Sequence, residues 1–357
     1  MNQVIIAAAG SGKTTRIVTE ILKAPTKKSL IVTYTLNNVN EIRQKFYHLN
    51  RHIPSTVTVI SWFSFLLRDV VRPYQNYIYE KRIGSIAFID GRSAKFVNKS
   101  NFKKYFLSEE DKVYTDKISE LGLICNEKSN GLVIDRLEDL YDHIYIDEVQ
   151  DLAGYDLDVI ELLLSSRIGI TLVGDHRQAT FQTNFSNRNK QYSGVKIIDK
   201  FHDWEKQKRC QVEYTQNCYR CNQVICNLAD ALYADLPKTN SENNTSSGHD
   251  GVFIVRSDKI HKYIQEYSPK LLRYNVKTDC YGYENNTINW GDSKGLTFDR
   301  VLILPHGPLK KALKAGDLSQ AASSAAKLYV AITRARFSVA FVFDDQCPLQ
   351  NVVHYEL

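Results

Sequence analysis

The sequence lacks any long hydrophobic run. None of its apolar stretches approaches the roughly 18 residues that a membrane-spanning helix needs, so we expect no transmembrane segment and no membrane partner. The first six residues lead directly into a glycine-containing loop, which leaves no room for a signal peptide. We therefore expect a soluble, cytoplasmic protein.

Cysteine is too sparse for a disulfide scaffold. Secreted disulfide-stabilised domains are shorter and far denser in cysteine, whereas this chain has seven cysteines at irregular spacing. Four of them fall between Cys210 and Cys226. This clustering leaves a zinc or iron–sulfur site open beside the simpler interpretation of structural thiols in a reducing compartment.

A strong excess of one charge is also absent. The net charge is +6 with a pI of about 8.7, which permits a nucleic-acid partner without requiring one, because binding depends on how charges cluster. The chain is 43% hydrophobic and 24% charged over 357 residues. These values predict a globular protein with two domains of ordinary size.

Short β-branched runs alternate with segments of helical periodicity. This alternation predicts an α/β fold with parallel sheets. We place one domain at residues 1–200 and a second at 201–357, with a reduced inserted region at about 68–140. The polar stretch 238–251 is predicted to be a flexible surface loop. The predicted strands are Val4–Ala8, Leu30–Tyr34, Thr56–Ile60, Ile144–Ile146, Ile170–Val173, Gly251–Val255, Val301–Leu304 and Val339–Phe343.

A nucleotide-binding loop is predicted near the N-terminus. The segment AAAGSGKTT follows an apolar strand, precedes a predicted helix and matches the GxxxxGK[ST] pattern except for alanine at its first position. Backbone amides of such a loop bind the α- and β-phosphates, Lys13 would reach the β/γ oxygens, and the Thr14 hydroxyl would bind Mg²⁺. The predicted nucleotide contacts are Ala7, Ala8, Ala9, Gly10, Ser11, Gly12, Lys13, Thr14 and Thr15.

An acidic pair follows the predicted strand Ile144–Ile146. Asp147 is placed to bind Mg²⁺, and Glu148 is placed to accept a proton from attacking water. A surface acidic pair is the alternative interpretation. Gln178 comes after the next predicted strand, in VGDHRQ, where its amide can contact the γ-phosphate or the water.

These segments, together with SKGLTFD from Ser293 and YVAITRAR from Tyr329, resemble the signature motifs of UvrD/Rep/PcrA-type superfamily 1 helicases. The likeness covers the chain in islands from Ala7 to Arg336. It implies two RecA-like domains with ATP and Mg²⁺ in the cleft between them. It also implies movement in the 3′→5′ direction along single-stranded DNA or a tailed duplex.

The resemblance also assigns residues of the second half of the chain. Arg220 of CYRC and Arg334 of AITRAR are similar to the arginines that reach the γ-phosphate, and Tyr219 is similar to the aromatic that stacks on adenine. Lys294 and Gly295 correspond to a loop between the nucleotide and the DNA. For Arg334, a salt bridge on a helix surface is the alternative. The predicted catalytic set is Lys13, Glu148, Gln178, Arg220 and Arg334.

Two segments resemble the family's DNA-contacting motifs. TYTLN at Thr33–Asn37 is similar to TFTNKAA, and SWFSF at Ser61–Phe65 is similar to TFHSL. Trp62 and Phe181 are candidate base-stacking platforms, with a buried core aromatic as the alternative for each. The family's histidine is Phe63 here and its tryptophan is Thr183. The implied DNA contacts are Thr33, Thr35, Asn37, Ser61, Trp62, Phe181 and Lys294.

A basic stretch lies inside the inserted region. Residues 92–106 carry five cations and four aromatics without an acid. This pattern suits a track for phosphates and bases, and equally a solvated amphipathic face.

The second half of the chain is compact for this family. Only roughly 60 residues separate Tyr233 from SKGLTFD, where the family commonly inserts a large accessory domain that grips duplex. An alternative function is therefore an ATPase subunit that senses nucleotide or DNA and regulates a partner such as a nuclease, for example in antiviral defence, without processive unwinding.

Overall fold

The computed structural model of the protein describes residues 2–89 and 91–356, which divide into two compact units. The first unit contains residues 2–6, 13–176 and 181–214, and the second contains 7–12, 177–180 and 215–356. The predicted division after residue 200 falls inside a helix, Ile197–Lys206. Phe201 and Trp204 of that helix are buried in the core of the first unit, which continues through Tyr214.

The first unit is built on a six-stranded sheet with the order β3-β2-β6-β7-β1-β8. The pairings from β3 through to β1 are parallel. Two short strands, β4 and β5, form a separate parallel pair. The strands are β1 (Gln3–Ala7), β2 (Ser29–Thr33), β3 (Val57–Ser61), β4 (Ile86–Ala87), β5 (Val113–Tyr114), β6 (His143–Asp147), β7 (Gly169–Gly174) and β8 (Gln211–Thr215).

Helices cover this sheet and begin where side chains cap them. The Thr35 hydroxyl accepts the backbone N–H of Asn38 at 3.1 Å, and Ser61 caps the next helix through the N–H of Ser64. The helices are α1 (Lys13–Lys23), α2 (Leu36–Asn50), α3 (Trp62–Phe65), α4 (Phe102–Phe106), α5 (Ile118–Lys128), α6 (Leu132–Leu140), α7 (Tyr155–Leu164) and α8 (Ile197–Lys206). A π-helical stretch, Leu66–Val71, continues α3.

The inserted region contributes to the core of the first unit. Leu121 and Cys125 of α5 and Leu137 of α6 are buried in the same cluster as the sheet residues Leu30 and Ile144. The region therefore stabilises the sheet, although its sequence shows little clear periodicity.

The second unit has a six-stranded parallel sheet with the order β13-β12-β14-β15-β11-β16. The predicted α/β class with parallel sheets is confirmed. The strands are β9 (Asn217–Cys218), β10 (Asn240–Ser241), β11 (Gly251–Val255), β12 (Lys270–Arg273), β13 (Thr287–Asn289), β14 (Phe298–Leu304), β15 (Ala335–Val342) and β16 (Val352–His354). The helices are α9 (Gln223–Asp230), α10 (Ile260–Tyr267), α11 (Gly307–Ala315) and α12 (Ala325–Ile332).

The stretch 238–251 differs from its prediction as a flexible surface loop. Its strand β10 pairs in parallel with β9, and Asp250 accepts the backbone N–H groups of Ser247 and Gly248. Local side-chain hydrogen bonds thus give this polar stretch a defined conformation.

In the described ranges, every helix is too short or too polar to cross a bilayer.

Candidate nucleotide site

The loop that follows β1 has the backbone of a phosphate-binding loop. Gly10 and Gly12 have φ values of +73° and +77°, in the left-handed region that glycine adopts readily. A Cβ at Gly10 would lie 2.7 Å from the Cβ of Arg220 and 2.9 Å from the Sγ of Cys218. Position 10 therefore requires glycine for both space and backbone conformation.

This loop also offers hydrogen-bonding groups to a ligand. The Ser11 hydroxyl is buried and has no hydrogen-bond partner among the described residues. Helix α1 begins at Lys13 directly after the loop, and the first N–H groups of a helix have no partner within it. These donors fit the phosphate oxygens of a nucleotide.

In the first unit, Asp147 and Glu148 lie at the carboxyl end of β6. Asp147 is buried, and its Oδ1 accepts the backbone N–H of Glu148 at 3.0 Å. Glu148 has a φ of +57°, a conformation that costs energy in a non-glycine residue and often marks a functional site.

Gln150 fixes the Glu148 carboxylate. Its Nε2 donates to Glu148 Oε2, while its Oε1 accepts the backbone N–H of Asp175 at 3.1 Å. A Cβ at Gly174 would lie 2.2 Å from that same Oε1, so the glycine after the β7 valine makes room for the glutamine.

The electrostatics of Asp147 favour a bound cation. Burial, together with the neighbouring charge of Glu148, raises the pKa of Asp147 to about 7, although Lys13 opposes this shift. A divalent cation would favour the ionised form. The available donors, a carboxylate and the Thr14 hydroxyl, are the oxygen ligands that Mg²⁺ prefers, so these residues fit the expected ion.

Within the second unit, Gln178 contacts two of the other predicted residues. Arg334 Nη2 donates to Gln178 Oε1 at 3.2 Å, and Lys294 Nζ donates to the Gln178 carbonyl at 3.2 Å. Arg334 is buried, and its Nε donates to the carbonyl of Val330 in α12 at 3.0 Å. The alternative of a surface salt bridge therefore does not describe Arg334.

Thr333 joins the two predicted arginines. Arg220 Nη1 donates to its carbonyl at 3.1 Å, and Arg334 Nη2 contacts its hydroxyl at 3.2 Å. The neighbouring Tyr219 donates its backbone N–H to the Gly10 carbonyl at 2.9 Å, and its ring is 62% exposed. Its face is thus accessible to a ligand beside the glycine loop.

A segment that sequence reasoning missed holds the CYRC loop. Asn243 Nδ2 donates to the Arg220 carbonyl at 2.7 Å, and Ser241 Oγ donates to the Cys221 carbonyl at 2.8 Å. The low-complexity sequence of 238–251 carries no pattern that predicts these contacts.

The cysteines around this loop are buried and free. The backbone N–H of Cys221 donates to Cys218 Sγ at 3.3 Å, and the thiols of Cys221 and Cys226 donate to the carbonyls of Thr333 and Cys221. In the described part of the chain, no group of three or more His, Cys, Asp or Glu side chains could hold a metal ion.

The predicted DNA contacts at the ends of β2 and β3 are in part structural. Thr33 is buried and its hydroxyl accepts from Asn38 Nδ2 at 3.3 Å, while the Thr35 and Ser61 hydroxyls cap helices. Asn37 is exposed at the first turn of α2.

Gly295, predicted to lie in a loop between the nucleotide and the DNA, is exposed with a φ of +86°.

Trp62 is a core residue, which corrects its prediction as a base-stacking platform. Its side chain is 1% exposed, and its Nε1 donates to Asp156 Oδ1 at 2.9 Å. Thr183 and Ser119 donate to the same buried carboxylate. Asp156 thereby joins the SWFSF segment to Ser119 and Thr183, and the buried indole has no face available to a base.

Two family models match the chain. A model of the AAA domain matches residues 1–184, and a model of the viral superfamily 1 RNA helicase core domain matches residues 126–343. No curated protein matches the chain.

Similar solved structures include a PRRSV helicase, with 17% identity over 96% of this chain and 52% of its own, and a TM-score of 0.46. Arterivirus nonstructural protein 10 (helicase), alone and in complex with DNA, has 13% identity over 96% of this chain. These matches cover 59% and 60% of the viral chains, each with a TM-score of 0.48. The chain thus spans less than two thirds of the length of these structures.

Proposed function

Because the chain belongs to the viral superfamily 1 RNA helicase core domain family, we propose that it is a nucleotide-hydrolysing enzyme that moves along single-stranded nucleic acid. The observation that carries this proposal is the glycine loop, whose left-handed glycines and orphan Ser11 hydroxyl fit a phosphate chain. It is supported by the buried carboxylate of Asp147 at the end of β6.

Each residue of the predicted catalytic set has its own role in nucleotide hydrolysis. Lys13 neutralises charge on the transferring phosphoryl group, and Thr14 and Asp147 would hold Mg²⁺, which would supply further positive charge there. Glu148, oriented by Gln150, accepts the proton of the attacking water. Arg220 and Arg334 stabilise the charge that develops in the transition state.

Gln178 is proposed to report nucleotide loss to the nucleic acid. Its side chain contacts Arg334 and its carbonyl contacts Lys294. A γ-phosphate that binds the Gln178 amide or Arg334 would compete with the hydrogen bond between these two residues. The resulting movement of Gln178 would reach Lys294 through the Gln178 carbonyl. Two alternative arrangements of one contact set are the physical basis of such coupling.

The finer assignment is an ATP-dependent UvrD-type translocase and helicase on DNA, with 3′→5′ polarity. It is supported by DEVQD, VGDHRQ and YVAITRAR as they stand in the sequence. RNA as the track is the competing outcome, because the matched family is described as an RNA helicase core.

A second candidate function is a companion ATPase that regulates a partner such as a nuclease. The short connection between α9 and β14 favours it, since that connection contains only short strands, one α-helix (α10) and short 3-10 helices, and no large accessory domain for gripping duplex.

Duplexes with a single-stranded tail at either end test these proposals. We expect ATP-dependent unwinding of a 3′-tailed DNA duplex and none with Lys13→Ala, which removes the phosphate-binding ammonium. Unwinding of only 5′-tailed duplexes would reject the polarity, and unwinding of only RNA would reject the DNA assignment. DNA-stimulated hydrolysis without unwinding would favour the companion function.

A further inference from the structure

An aromatic row lies at the ends of strands in the first unit. Phe181 contacts Tyr34, Tyr34 contacts Phe63, and Phe63 contacts Phe88, with ring centroids 5.6, 5.9 and 5.9 Å apart. Tyr34 follows β2, Phe63 lies in α3 directly after β3, and Phe88 follows β4 of the inserted region. The carboxyl ends of parallel strands are where α/β folds bind their ligands.

Exposure rises sharply at one end of this row. Phe63 is 6% exposed, whereas Phe88 is 73% exposed and meets Phe63 edge to face, at 86° between the ring planes. The contact orients the Phe88 ring and leaves most of its surface open to solvent. An oriented, exposed aromatic face is what a nucleobase stacks on.

The chain is basic after Asp90, which lies two residues beyond Phe88. Residues 91–108 contain no acid and five cations. Lys99 pairs with Glu120, and Lys103 pairs with Asp111 at 3.4 Å. Arg92 and Lys95 are exposed and form no ion pair with any residue that the structure describes. The segment that carries the exposed ring is therefore followed by cations available to phosphates.

We propose that Phe88 is a base-stacking residue for single-stranded DNA, supplied by the inserted region at the end of the aromatic row. The inference rests on the proposed function and adds a contact to it. With Trp62 buried, Phe88 provides the exposed aromatic surface that the sequence assigned to the tryptophan.

Phe96 is a matched control. It lies in the same inserted region, is 100% exposed, and has no ring contact with any described aromatic residue. If exposure alone were enough for binding, Phe88→Ala and Phe96→Ala would weaken it equally.

The experiment measures the affinity for an oligothymidylate of about 20 nucleotides by fluorescence anisotropy, with thermal unfolding of every variant as a check on folding. We expect Phe88→Ala to weaken binding at least about fivefold, the lower end of base-stacking effects. Phe88→Trp should retain wild-type affinity, and Phe96→Ala should stay within about twofold.

A 2-aminopurine base in the oligonucleotide reports stacking directly. Its fluorescence should fall on binding to the wild type and to Phe88→Trp, and less on saturation of Phe88→Ala. If the wild type binds and Phe88→Ala behaves like Phe96→Ala in both assays, the inference is overturned while the proposed function stands. If the wild type binds no oligonucleotide, the DNA assignment fails and the inference with it.

Discussion

At the residue scale, Glu148 combines a strained backbone with a side chain held in place. Its φ is +57°, and Gln150 donates to its carboxylate. A neutral glutamine at this position keeps the size of the side chain and removes the proton acceptor. We expect Glu148→Gln to lower kcat for ATP at least about 100-fold, the lower end of general-base contributions.

The steady-state rate and the equilibrium affinity for ATP check this expectation together. The affinity should stay near that of the wild type. Asp135→Asn, on the exposed surface of α6, is the control and should hydrolyse normally. A Glu148→Gln enzyme with wild-type turnover would remove Glu148 from the role of base.

His143 links stability to pH. It is stacked on Tyr145, its Nε2 lies 2.8 Å from Thr171 Oγ1, and burial lowers its pKa to about 4. Because the unfolded value is about 6.5, the folded state holds fewer protons between these two values. The contribution of neutral His143 to the free energy of unfolding is therefore fully present above about pH 6.5 and is lost as the pH drops toward 4.

Denaturant unfolding at pH 7.5 and pH 5 measures this dependence. Relative to His143→Gln, which keeps a partner for Thr171, the wild type should lose about 2 kcal/mol more between the two pH values. Equal losses in the two proteins would show that His143 does not titrate in this way.

At the scale of elements, Asp156 joins α3, α5 and α7. Its carboxylate accepts from Trp62, Ser119 and Thr183, and its removal leaves buried donors unsatisfied. We expect Asp156→Ala to lower the free energy of unfolding by about 3 kcal/mol in urea, and Asp156→Asn to cost less. Asp158→Ala on the same helix removes an ion pair with Arg188 and a hydrogen bond from Asn189, both near the surface, and should cost about 1 kcal/mol. Equal losses for Asp156→Ala and Asp158→Ala would contradict the role of Asp156.

The segment around β10 positions Arg220. Asn243 donates to the Arg220 carbonyl and also accepts from Thr245. Asn243→Asp keeps the acceptor, removes the donor and places a carboxylate oxygen against the Arg220 carbonyl. We expect it to lower kcat for ATP about tenfold through misplacement of the arginine.

A substitution at the adjacent, exposed Asn244 is the control for Asn243→Asp. Asn244→Ala should hydrolyse ATP at the wild-type rate. If Asn243→Asp did the same, the hydrogen bond to Arg220 would have no part in catalysis.

The strands and helices show how much of the fold can be predicted from the sequence. Buried β-branched runs such as Leu30–Tyr34 predict β2 to within one residue, because a strand covered on both faces requires apolar side chains throughout. The sequence left Trp62 open between a base-stacking platform and a buried core residue, since a tryptophan beside polar residues is compatible with both. The choice depends on Asp156, which is 94 residues away in the sequence.

At the scale of the whole molecule, the order of the motifs predicts a superfamily 1 helicase, and the family match confirms that level of description. The UvrD type stays a prediction. Sequence periodicity gave no indication that residues 7–12 and 177–180 pack within the second unit. Such contacts join residues far apart in the chain, which local patterns do not encode.

We propose that ATP hydrolysis by this chain is coupled to binding of a nucleic-acid strand. The most direct test is the steady-state rate of ATP hydrolysis by the wild type, measured with and without saturating single-stranded DNA. We expect a low basal rate that rises severalfold when DNA is added and that is at least about 100-fold lower in Glu148→Gln under both conditions. A wild-type rate that DNA leaves unchanged would contradict it.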